Sequence, residues 1–299
     1  MISPDLLRTF LSLAETRNFT RTAEHLHMTQ PGVSQHVKKL EDHFDALLIQ
    51  RDKRACRLTP EGQCLVEHAR QLFAEHERFR ESLAEDLPSK GQCRHAAPGS
   101  FGLLLYDVLL ECGQEHRGLR LDLTVAPTLS IPERLLRGEV DVGFTMRAPE
   151  DPRLEAKAFA REAIVLVVPK SYRGKGWTAL KELGRIDHPD GMSLANRLLA
   201  ANFPGENLTQ IPVRGSINQI NRLLDPVRAG IGFNVVSEYT WARYPWRRET
   251  KLLELPHAVR DTVYLVKRRK EKLPSRYIWV EECLRAALAK ASREVRIRS

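Results

Sequence analysis

The stretch TRTAEHLHMTQPGVSQHVKKLE, Thr20 to Glu41, decides how the rest of the chain is read. It holds two short helical patterns separated by a tight polar break, and the second opens on Thr29-Gln30-Pro31. Upstream, Ser3-Pro4-Asp5 is a helix start: a capping hydroxyl, a proline at the first helical position and an acid in the first turn. Leu6, Phe10, Leu13 and Ala14 follow at helical spacing and predict one buried stripe. Phe19-Thr20 begins a second helix with Ala23 and Leu26 inward, and Thr29 is placed to cap a third. In that third helix Val33, Val37, Leu40 and Phe44 recur at spacings of four, three and four, which makes one apolar face. Its opposite side carries Pro31, Gln35 and Lys38, flanked by Gln30 and Ser34.

Glutamine can pair with adenine edges in a major groove, serine serves several bases, and lysine neutralises phosphate. A polar outer face alone would mean only solubility. The context carries the reading: a short helix and a tight turn precede this helix, and a basic hairpin follows it. LIQRDKRACRL, Leu48 to Leu58, reads as two short strands around Asp52-Lys53, with Arg51, Lys53 and Arg54 near the tip. That is a winged helix-turn-helix, and arginines on a wing suit phosphate or minor-groove contact.

From Leu6 to Gly62 the chain resembles the DNA-binding head of the LysR-type transcriptional regulators. The residues carrying the resemblance are LLRTFLSLAETRNFTRTAEHLHMTQPGVSQHVKKLE and RDKRACRLTPEG. It implies that Gln30, Pro31, Ser34 and Gln35 face bases and that Lys38 and Arg51 face backbone; Arg54 completes the DNA-binding set on the wing. Gly32 stands where the family commonly has alanine, Asp45 where a glycine usually ends the helix, and Ile49 where phenylalanine is usual.

Thr59-Pro60-Glu61 starts another helix with cap, proline and acid in order. Leu65, Ala69, Leu72, His76, Phe79 and Leu83 alternate at four and three, the seam of a coiled coil. Run from Thr59 to about Leu87, that helix is ~40 Å long, and it reads as a dimerisation helix ending in the hinge Leu87-Pro88-Ser89-Lys90-Gly91. Two identical readers about a twofold axis demand DNA of approximate dyad symmetry.

Beyond residue 90 strands alternate with helices, which predicts a mostly parallel α/β sheet. Strands are expected at Cys93–Ala97, Leu119–Val125, Val140–Thr145, Glu162–Val168, Arg185–His188, Ile211–Gly215, Ile231–Val236 and Thr262–Lys267. Helices are expected near Gly102–His116, Pro132–Arg137, Ser193–Phe203, Asn218–Ala229 and Arg276–Ser292. LRLDLTV, Leu119 to Val125, alternates as an edge strand does. The helix before it, FGLLLYDVLLEC, is apolar nearly all round, so the two together suggest either a second self-association surface or deep burial. Ligands of such sheets bind outside the carboxyl ends of the strands, where small hydroxyl and amide residues cluster and Arg147 offers a charge for a carboxylate.

The family resemblance extends here through APGSFG, LLRGEVDVGF and PVRAGIGFNVVSE. It implies a two-subdomain, periplasmic-binding-protein-like effector domain, the chain crossing near Glu162 and returning near Thr262. Ser100, Thr128 and Arg147 would line one side of the inter-subdomain cleft, with Ser216 and Asn218 opposite. Ser100 and Thr128 could instead merely cap helices. His95, where an aliphatic residue is usual, has no functional explanation from sequence.

The charge does not locate the DNA site. Net charge is +9, divided as +2 over residues 1–58, −3 over 59–90 and +10 over the remainder. No apolar run approaches the ~18 residues of a membrane span, and Asp5, Arg8 and Glu15 interrupt what a signal peptide would need. Five scattered cysteines form no metal pair or disulfide framework. A cytoplasmic protein is the expectation, with no cofactor and no metal.

A rival reading is an α/β enzyme with a DNA-binding head. Gly99-Ser100-Phe101-Gly102 is no nucleophile elbow, Gly230-Ile231-Gly232 lies inside a strand, and no phosphate-binding loop motif is present. An architectural DNA-packing protein would leave a two-lobed domain unexplained. The reading is therefore a non-enzymatic, sequence-specific transcriptional regulator. It has a winged helix-turn-helix at 1–58, a linker helix at 59–88 and an effector domain at 89–299. Within the last, subdomain I covers 91–161 and 268–299 and subdomain II covers 162–267. The expected partners are double-stranded DNA, a small anionic effector and the chain itself, as a dimer through the linker helix and, from the family, a tetramer.

Overall fold

Capping chemistry sets the first three helices of the computed structural model, which describes residues 2–52, 55–83, 86–188 and 191–296. Ser3 accepts the Asp5 N–H ahead of α1 (Pro4–Thr16), and Asn18 accepts two N–H groups ahead of α2 (Phe19–His25). Thr29 Oγ1 accepts the Gly32 N–H at 3.2 Å ahead of α3 (Gln30–Phe44). A hairpin of β1 (Ile49–Asp52) and β2 (Ala55–Leu58) follows, then α4 (Pro60–Ser82). Leu7, Phe10, Leu13, Val37, Leu40, Leu48, Leu65 and Ala69 share one core. The buried stripe of α1 thus runs through Leu7, with Leu6 at its border, and Phe44 at the end of α3 is 42% exposed rather than inward. Asp45 ends α3 with φ +49°, the left-handed cap a glycine takes without strain.

The helix α4 is shorter than expected and its seam divides. Leu65 and Ala69 are buried in the core of the head, while Leu72, His76, Phe79 and Leu83 are exposed. Its start is held tightly: Thr59 Oγ1 donates to the Leu47 carbonyl and accepts the Gly62 N–H. A Cβ at Gly62 would lie 2.1 Å from the Leu48 carbonyl oxygen, so only glycine fits.

The chain divides into two compact units, residues 1–85 in one and 86–136 with 140–299 in the other. The second unit opens with β3 (Lys90–Ala97), α5 (Gly99–Glu115), β4 (Gly118–Val125), α6 (Ile131–Leu136) and β5 (Val142–Thr145). It continues through β6 (Leu154–Pro169), α7 (Gly176–Leu183), β7 (Arg185–Asp187), α8 (Gly191–Asn202) and β8 (Val213–Ser216). The chain then forms α9 (Asp225–Arg228), β9 (Asn234–Ser237), α10 (Glu238–Arg243), β10 (Thr250–Leu252), β11 (Val259–Arg268) and α11 (Ser275–Arg296).

The sheet is mixed rather than mostly parallel. Its order is β10-β6-β11-β5-β3-β4, with β9 also on β6, and only β3 with β4 and β3 with β5 pair parallel. The long strands β6 and β11 pair antiparallel over their whole length, because the chain goes out on one and returns on the other. Apolar alternation revealed only the second half of β6, since LEAKAFARE is half exposed. The expected helix 218–229 is instead a turn at Ile220–Arg222 and the four-residue α9, with Pro226 setting the start of the latter. The expected strand at Ile231 begins at Asn234; β10, α7 and α10 had no sufficient pattern.

Two sets of apolar clusters meet along β6 and β11. Leu154, Phe159, Val263 and Val266 pack with α5, α6 and α11, whereas Ile164, Leu166 and Val168 pack with α7, α8 and β9. The changeover falls at the cross-strand neighbours Glu162 and Asp261, both buried. The first lobe is tied by buried Asp141. Its carboxylate accepts from Arg94 at 2.9 and 2.8 Å, from Arg268 at 2.9 Å and from the Tyr277 hydroxyl at 2.6 Å. Burial alone would raise the Asp141 pKa, but these donors hold it below the ordinary carboxylate value.

Candidate nucleic-acid interface and effector cleft

On α3, Val33, Val37 and Leu40 are fully buried while Gln30, Pro31, Gln35 and Lys38 are exposed, with Ser34 half-buried. The helix is therefore anchored on one side and leaves the candidate readers standing on the other. Two contacts fix it: His36 Nδ1 lies 2.8 Å from Thr9 Oγ1 on α1, and Glu41 Oε1 accepts the N–H groups of Leu48 and Ile49. The second of these sets where the wing leaves the helix. Arg51 lies on β1, opposite Cys56, and Arg54 lies outside the described residues. Lys39 beside Lys38, and the cross-strand pair Gln50 and Arg57, are exposed polar groups that the sequence reading passed over. Strict alternation in Ile49–Leu58 places Gln50 and Arg57 on one face and could have found them.

Ser100, Thr128 and Arg147 follow β3, β4 and β5, which lie side by side in parallel, so all three emerge at one edge of the sheet. Ser100 is in the first turn of α5 but does not cap it; Pro98 holds that position and no side chain bonds there. Thr128 likewise does not cap its turn. Both hydroxyls are half-exposed and Arg147 is exposed, two residues past buried Thr145, whose Oγ1 donates to the Arg147 carbonyl at 2.6 Å. Exposed Ser216 and Asn218 follow β8, which is parallel to β7. The two sets of ends are brought together at one point: a Cβ at Gly99 would lie 3.5 Å from the Ile220 side chain. Asn234, placed by sequence among the strand ends, is buried and donates to the Ile186 carbonyl, a tie between β9 and β7. Pro189 and Asp190 lie outside the described residues.

A family model for the LysR substrate binding domain matches residues 88–289, and one for bacterial regulatory helix-turn-helix proteins of the lysR family matches residues 4–63. The chain belongs to the LysR family. Among LysR relatives, the RuBisCO operon transcriptional regulator of Allochromatium vinosum is 28% identical over 241 residues, covering 78% of this chain and 79% of that protein. The HTH-type transcriptional regulator CysL of Bacillus subtilis is 29% identical over 170 residues, and the match spans only 56% of this chain and 57% of that protein. In structure, full-length CbnR complexed with its target DNA superposes with a TM-score of 0.69 at 22% identity, covering 95% of this chain and 99% of that one, which shows the shared LysR fold.

Proposed function

We propose that the protein is a sequence-specific DNA-binding transcriptional regulator, not an enzyme, whose grip on DNA is changed by a small anionic effector held between the two lobes of its second unit. The observation that carries this reading is α3, with its apolar face buried and Gln30, Pro31, Gln35 and Lys38 exposed on the other side. The relatives are named as transcriptional regulators, and CbnR was solved on its target DNA. Gln30, Pro31, Ser34 and Gln35 read bases, while Lys38, Arg51 and Arg54 hold backbone. Ser100, Thr128 and Arg147 bind the effector from one lobe, Ser216 and Asn218 from the other. A ligand so placed acts only through different affinity for two arrangements of the lobes.

Self-association completes the reading. Leu72, Phe79 and Leu83 leave an uncovered apolar stripe on α4, which a second copy would bury, giving a dimer on DNA of approximate dyad symmetry. Tyr106, Leu110 and Val125 are exposed along α5 and the edge strand β4, a second face of the same kind that would carry dimers to tetramers. No helix of the described residues is long and apolar enough to cross a membrane, and the DNA-bound role places the protein in the cytoplasm.

The test is selection of genomic fragments by the purified protein at fixed physiological salt, followed by sequencing. A few enriched promoter fragments sharing a dyad are expected, and the neighbouring genes then nominate effectors. Diffuse retention without a shared site, with and without those effectors, would move the protein to a DNA-packing role.

A further inference from the structure

The cleft does not account for His95. This side chain is 2% exposed in β3, its Nδ1 has no hydrogen-bond partner, and its ring sits 5.4 Å from that of Tyr277. Burial, only partly offset by nearby Asp141, lowers its pKa to about 4, so the imidazole is neutral at pH 7. It lines a cavity of about 470 Å³ between α11 and the sheet of the first lobe. The volume falls in the range of small-molecule sites, roughly 300–1,000 Å³.

The walls of the cavity specify a ligand. Val142, Phe144, Leu265, Val280 and Leu284 form an apolar lining, and Ile278 stands 57% exposed beside it. Three carboxylates surround it, and each already has a cation. Lys267 lies 3.7 Å from Glu155, Arg268 lies 2.7 Å from Glu271 and Arg285 lies 2.7 Å from Glu281. Lys157 and Lys272, both exposed, have no acidic partner among the described residues. The charge left over is therefore positive, next to an apolar surface and a buried polar atom lacking a bond.

We propose that this cavity is a second small-molecule site, binding a carboxylic acid with an apolar, ring-sized body. Its carboxylate meets Lys157 and Lys272, and its body covers Phe144, Leu265 and Leu284. The proposal does not rest on the cleft reading, since none of its residues belongs to the cleft.

The test titrates the full-length protein with benzoate, phenylacetate and 3-phenylpropionate, each beside its uncharged carboxamide. Calorimetry reads affinity, and NMR reads the His95 imidazole, assigned by its loss in His95→Gln. At least one acid is expected to bind at least about tenfold tighter than its amide and to shift the His95 resonances. The exposed double substitution Lys157→Glu/Lys272→Glu is expected to weaken that acid by about tenfold or more, while Arg147→Ala leaves it unchanged. Absence of binding by every acid at millimolar concentration overturns the proposal. So does binding that Arg147→Ala abolishes and the lysine substitutions spare, because the acid would then sit in the cleft.

Discussion

The head and the two-lobed unit assemble their candidate sites in opposite ways. In the head every reader on α3 lies within nine residues of sequence, from Gln30 to Lys38, on a helix whose other face is buried. In the second unit five candidate residues are scattered from Ser100 to Asn218 and meet only because β3, β4 and β5 run parallel and β6 and β11 cross between lobes. Local periodicity builds the first site; long-range pairing builds the second. The contrast also holds for what stabilises each part, and it can be broken by substitution.

The largest effect is expected where distant segments meet. Asp141→Ala leaves Arg94, Arg268 and the Tyr277 hydroxyl facing a gap, and should cost about 3–5 kcal/mol in chemical denaturation. A loss below about 1 kcal/mol would show that packing, not this network, ties the first lobe. In the head, Gly62→Ala drives a methyl into the Leu48 carbonyl and should cost about 3 kcal/mol, measured the same way. A neutral result would mean that the start of α4 can shift.

The crossing between lobes has a pH signature. Burial pushes the Glu162 carboxyl up to about 7; the Ser237 hydroxyl, donating at 2.6 Å, opposes this, and Asp261 and Glu238 add to it. A carboxyl raised in the folded state binds more protons there than unfolded, so its contribution to stability falls as pH rises from 4.5 toward 7. His95, lowered from 6.5 to about 4, contributes the opposite slope, with stability lost as pH falls through that window. The two therefore offset one another in the wild type. Glu162→Gln should be more stabilising near neutral pH than near about pH 5, by roughly 2 kcal/mol, and should leave the rising His95 slope exposed. Parallel stability curves for variant and wild type would remove Glu162 from the account. The smallest effect belongs to Asp45→Gly, which relieves the left-handed cap of α3 and should stabilise by about 0.5 kcal/mol.

The same contrast decides what could be read in advance. Helix starts were legible because Ser3, Thr29 and Thr59 announce themselves within three residues, and all three hydroxyls accept the expected N–H. The two-lobed α/β class was legible from alternating elements. The mixed sheet was not, because the first half of β6 is polar and half exposed, and strand direction is a property of pairing rather than of composition. Gly62 illustrates the limit: its φ is ordinary and only the approach of Leu48 demands glycine. His95 was visible as an anomaly, yet its meaning needs α11, whose Tyr277 lies 182 positions away in the chain.

The central claim is that α3 reads bases. The measurement that tests it most directly is Gln35→Ala, with binding to a selected dyad fragment and to unrelated DNA compared at one salt concentration. The account expects specific affinity to fall by about 1–3 kcal/mol with non-specific affinity nearly unchanged. Equal loss on both DNAs, or no loss on either, would contradict it.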